Sequence, residues 1–92
     1  MFISGAGGSS SETLQLTNNS APPLTISSLV ITPSNLFKIT GTTCGTTLAG
    51  GRTCDITVTF SPTGFDISLA TLAVTDNATN SPQTAILLGL GI

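Results

Sequence analysis

Cys44 and Cys54, with nine residues between them, are the side chains best suited to covalent or metal chemistry in this chain. Such a pair could form a disulfide, half of a metal site, or two buried thiols. A zinc site would be short of ligands, because the 92 residues include no histidine, and the spacing is not the Cys-x-x-Cys of a redox centre. A disulfide is therefore favoured. It would stabilise the domain by about 3 kcal/mol in the chain-entropy model, and it implies an oxidising compartment.

Other chemistry has little to draw on. Without histidine, a Ser-His-Asp arrangement and most metal triads cannot be built. Asp55, Asp66 and Asp76 read as turn and surface residues, and Asp76-Asn77 fits a tight turn. A calcium site among Asp66, Asp76 and Asn77 would need an oxygen spacing that no loop here supplies. Lys38 could enter a Lys-to-Asn cross-link, which would betray itself by the loss of one ammonia. Asn18-Asn19-Ser20 and Asn77-Ala78-Thr79 match the glycosylation sequon, although ordinary turn asparagines are the preferred reading. No catalytic residue, metal or cofactor is predicted, and a small-molecule ligand is not expected.

The strand that presents Cys54 is the clearest element. Cys54, Ile56, Val58 and Phe60 alternate with Asp55, Thr57 and Thr59 until Ser61-Pro62, the pattern of a half-buried strand. No apolar spacing of three and four persists over a dozen residues, so helix is nearly absent. Further strands are predicted around Phe2 and Ile3, over 12–17 with Leu14 and Leu16 inward, and over 24–31 with a phase shift at Ser27-Ser28 that marks a bulge or a change of sheet. A short strand at Phe37 and Ile39 follows, then 69–75 with Ala70, Leu72 and Val74 on one face, and finally 83–92. Residues 5–11 form either a loop or a strand switching edge. Seven short strands separated by turn signals predict one immunoglobulin-like β-sandwich domain over residues 1–92.

Composition narrows the setting. Lys and Arg number two and Asp and Glu four, far below the roughly one-quarter charged residues of an average domain. A chain with net charge −2 has no basic footprint for nucleic acid or anionic membrane surfaces. The longest apolar run, 85–92, is broken by two glycines and falls far short of the roughly 20 residues of a membrane-spanning helix, so no membrane insertion is predicted. A surface solubilised by Ser and Thr suits an extracellular location. The first residues lack the basic start and long apolar stretch of a secretory signal.

Five stretches carry a family resemblance: LTNNSAPPLTI at 16–26, CGTTLAGGRTC at 44–54, ITVTFSPT at 56–63, LAVTDN at 72–77, and SPQT at 81–84 with LGLG at 88–91. Together they resemble the abnormal-spindle and Hydin type of immunoglobulin-like domain, in the bacterial form found in proteins called choice-of-anchor D. The resemblance implies a seven-stranded sandwich akin to the major sperm protein and pilus-chaperone folds, used as a non-catalytic spacer or interaction module on secreted or surface proteins. Two departures stand out, a short segment after Pro62 and an unusually apolar last strand.

That last strand is the functional lead. If Ala85 and Leu87 face the core, then Ile86, Leu88, Leu90 and Ile92 face outward, an exposure that calls for a partner. The expected function is a structural, non-enzymatic module of an extracellular or cell-surface bacterial assembly that packs end to end with itself or neighbouring like modules. Contacts would use Phe2 and Ile3 at one end and residues 86–92 at the other. The alternative is an adhesion module working through the loops at one end of the sandwich, although the chain has no Trp or Tyr with which to stack a sugar.

Overall fold

Alternation along residues 53–60 translates directly into burial: Cys54, Ile56, Val58 and Phe60 are buried, while the threonines between them stay at least partly exposed. In the computed structural model, which describes residues 1–78 and 81–92, this segment is the sixth of eight strands. They are β1 (Phe2–Ser4), β2 (Ser10–Thr17), β3 (Leu24–Thr32), β4 (Phe37–Thr42), β5 (Thr47–Leu48), β6 (Thr53–Phe60), β7 (Ile67–Asp76) and β8 (Gln83–Gly91). They form a five-stranded sheet in the order β1-β8-β7-β3-β5 and a three-stranded sheet in the order β2-β6-β4. Every pairing is antiparallel except that of β1 with β8.

The two sheets close on each other as a β-sandwich. Ala70, Leu72, Val74 and Leu87 from one sheet meet Ile56, Val58 and Phe60 from the other. An aromatic trio fills one end: Phe37 stacks on Phe60 with centroids 4.9 Å apart, and Phe2 meets Phe37 edge-on at 5.4 Å.

Most predicted strands lie where the alternation puts them. The phase shift at Ser27-Ser28 is a bulge, with the β3–β7 register slipping between Ile26 and Ser28. Some strand bounds differ. An eighth strand exists because Thr47 and Leu48, inside the cysteine loop, pair with Thr25 and Leu24. β7 starts two residues earlier than predicted, at Ile67, because its first apolar residues point away from the core. Residues 5–9, left open above, form a short loop that carries the chain from one sheet to the other. The loop is tied by Ala6 N–H to Ile92 O at 3.1 Å and by Gly7 N–H to Pro62 O at 3.0 Å, and its turn needs the positive φ of 83° at Gly7.

Topology also corrects the expected end-to-end arrangement. β1 runs parallel to the last part of β8, with Phe2 opposite Gly89 and Ile3 opposite Leu90. The terminal strands are therefore side by side in one sheet, not at opposite ends of the molecule.

Candidate functional site

Cys44 and Cys54 form a disulfide, with Cα atoms 4.8 Å apart and both residues buried in the core. The surrounding backbone is locked to it. Thr42 Oγ1 donates to Asp55 O at 3.0 Å and accepts from Cys44 N–H at 3.0 Å, while Asp55 N–H donates to Thr43 Oγ1 at 2.9 Å. The bridge thus pins the end of β4 to the start of β6 and closes the loop that holds β5.

Asp66 and Asp76 act locally. Asp66 Oδ1 accepts from Ile67 N–H at 2.7 Å at the start of β7, and Asp76 Oδ1 accepts from Ala78 N–H at 3.0 Å in the turn after it. Among the described residues, no three His, Cys, Asp or Glu side chains come together as a metal group. Lys38 is exposed on β4. Asn18, by contrast, is buried and committed: its Nδ2 donates to Pro22 O at 2.9 Å and Leu48 O at 3.0 Å, and its Oδ1 accepts from Ser20 N–H at 3.0 Å. A sequon asparagine held in this way is a structural one. The other sequon, Asn77-Ala78-Thr79, ends at a residue outside those described.

The two outer faces of the sandwich differ sharply. On the three-stranded sheet, hydroxyls pair across the strands: Ser11 with Thr59 at 2.8 Å, Thr17 with Thr53 at 3.0 Å, and Thr40 with Thr59 at 2.9 Å. On the five-stranded sheet the outward positions are aliphatic where β1, β8 and the first half of β7 lie side by side. Ile3, Leu90 and Ile67 form one row across β1, β8 and β7, Leu88 and Leu69 form the next, and Ile86 beside Thr71 forms the third. Every exposed large apolar residue among those described comes from β1, β3, β7, β8 or lies within two residues of one of them, and none comes from β2, β4 or β6.

Of the predicted contact residues, Ile3, Ile86, Leu88 and Ile92 are exposed, with Ile86 reaching 72%, and Leu90 is half-buried. Phe2 is a correction. It is only 3% exposed, because the pleat that turns Ile3 outward turns Phe2 into the aromatic trio. Ile67 and Leu69, at 65% and 62% exposure, are surface partners that the sequence reading missed. Their signal was present: Phe65, Ile67 and Leu69 alternate in the phase opposite to Ala70, Leu72 and Val74.

A β-sandwich stapled by one disulfide, with a polar outer face and an aliphatic one, has the architecture of a structural or interaction module. The chain belongs to the ASPM-SPD-2-Hydin (ASH) family, named for the abnormal spindle-like microcephaly-associated protein, whose model matches residues 4–84. No curated protein matches it. Among solved structures, it is similar to the secreted serine protease VesC from Vibrio cholerae, with a TM-score of 0.74 and 19% identity over 97% of this chain and 21% of the protease. The VesB protease of Vibrio cholerae gives 0.74 and 18% over 98% of this chain and 30% of its own. The chain therefore corresponds to a minor part of either protease, and the likeness is one of fold.

Proposed function

We propose that this chain is a non-enzymatic structural module of an extracellular or cell-surface bacterial protein, and that it packs with itself or with neighbouring like modules through its terminal strands. The observation that carries this reading is the aliphatic outer face built by β1, β8 and β7, on which no charged side chain projects from a strand. A monomer with so few charges would gain little by leaving such a face in water. The buried disulfide supports the oxidising setting, and one fold relative is a secreted protease of Vibrio cholerae. A scarcity of titratable groups and the local roles of Asp66 and Asp76 support the non-catalytic role.

Two measurements test the reading. Intact mass with and without prior reduction, each after alkylation, should show no modified thiol in the unreduced protein. Two freely alkylated cysteines would remove the support for an extracellular location. Sedimentation over a wide concentration range should reveal association that Leu88→Asp abolishes. If neither free nor tandem copies associate, the packing role fails.

A further inference from the structure

The terminal strands share one outward face, so their exposed aliphatic side chains form one continuous patch and not a patch at each end. We infer that this patch is the seat of a closed two-fold dimer, in which the outer face of β1, β8 and β7 packs against the same face of a second copy, with Leu69 and Leu88 at its centre. The inference rests on the reading of the chain as a module that packs with its like, and it adds the partner, the face and the symmetry.

Size is the first argument. Ile3, Ile67, Leu69, Ile86 and Ile92 are each more than half exposed, and Leu88 and Leu90 add to them. Together they offer on the order of 500 Å² of apolar surface, at the upper end of what a monomer carries. Two such faces together would bury roughly 1,000 Å², the lower bound for a specific interface.

Charge is the second. Among the residues of β1, β3, β7 and β8 the sole charged side chain is Asp76, which is buried. Such a face has nothing with which to pair a charged partner, and it sets no like charges against each other when it meets itself. The same face of another copy is likewise aliphatic and free of charge. Sheets pack face to face about 10 Å apart through interlocking rows of this kind.

Closure follows from the count of patches. A subunit with a single self-complementary patch satisfies it in one pairing and leaves nothing for a third copy, whereas a filament needs two different surfaces. The opposite face, covered by paired threonine hydroxyls, does not supply a second one.

The test is sedimentation equilibrium on the 92-residue chain with its disulfide intact. The wild type should fit a monomer–dimer equilibrium with twice the chain mass as its limit. Leu69→Asp and Leu88→Asp should each weaken pairing roughly 100-fold or more, because each places two carboxylates in one apolar interface. Thr13→Asp, on the three-stranded sheet, should leave the dimer unchanged. Thermal unfolding of both apolar-to-acid variants establishes that they remain folded. A wild type that stays monomeric at millimolar concentration, or whose mass climbs without limit, would overturn the inference. A fusion of two copies through a flexible linker separates this failure from that of the wider reading. If free copies do not pair but the fusion packs in a Leu69→Asp-sensitive way, only the dimer is wrong; if the fusion does not pack either, both fall.

Discussion

Gly89 is where one atom decides the packing of the last strand. A methyl group added there would lie 2.7 Å from the ring of Phe60, a side chain with no exposed surface that stacks on Phe37. Gly89→Ala should therefore destabilise the domain by about 1–3 kcal/mol, as overpacked cores do, while Gly64→Ala, facing open space, should be neutral. Thermal unfolding of the two variants checks the contrast. Asn18 makes a second case. Asn18→Ala would leave the carbonyls of Pro22 and Leu48 and the N–H of Ser20 without their partner, at a cost of about 2 kcal/mol. In the sequence, Gly89 looked like a break in an apolar run and Asn18 like a turn residue or a sequon. Neither the facing ring nor the distant carbonyl of Leu48 leaves a local trace, so these roles could not be read before the chain was folded.

Elements were legible wherever one face is buried and the other is wet. β6 and the Ala70-Leu72-Val74 part of β7 follow from period two alone, because a slip of one residue would turn Ile56, Val58 or Leu72 to solvent. β5 escaped notice because two residues carry no period. The start of β7 escaped because Ile67 and Leu69 break the rule of apolar side chains inward, and they break it where the docking face lies. The adjacency of β1 and β8 was invisible for another reason: alternation says which way a residue faces, not which strand lies beside it. Replacing both Cys44 and Cys54 by serine should cost about 3 kcal/mol and lower the melting temperature by roughly 10–20 °C, because the loop holding β5 is no longer closed. Ile86→Ser, by contrast, should leave the unfolding of the monomer within about 0.5 kcal/mol of wild type, since that side chain is 72% exposed in a single copy.

The whole molecule is a sandwich with two unlike outer faces, one of paired hydroxyls and one that carries aliphatic rows over β1, β8 and the start of β7. Hydroxyls keep their sheet compatible with water in a chain that has only six charged side chains, four acidic and two basic. The aliphatic face has no such compensation, and its free energy falls when it is covered. Association through it should respond to salt accordingly. With no charge pairs to screen, moderate sodium chloride should leave the dissociation constant nearly unchanged, and sulfate should tighten it; sedimentation in matched buffers reads both. A steep loss of affinity with sodium chloride would point to a polar interface elsewhere.

Association rests on the outer face of β7 and β8 meeting a partner. Backbone amide chemical shifts recorded over a dilution series test it most directly, because each residue reports for itself. Concentration-dependent shifts should concentrate at Ile67, Leu69, Ile86 and Leu88, with Thr13, Thr57 and Thr59 unmoved. Shifts confined to the loops or to the threonine face, or none at any concentration, would contradict it.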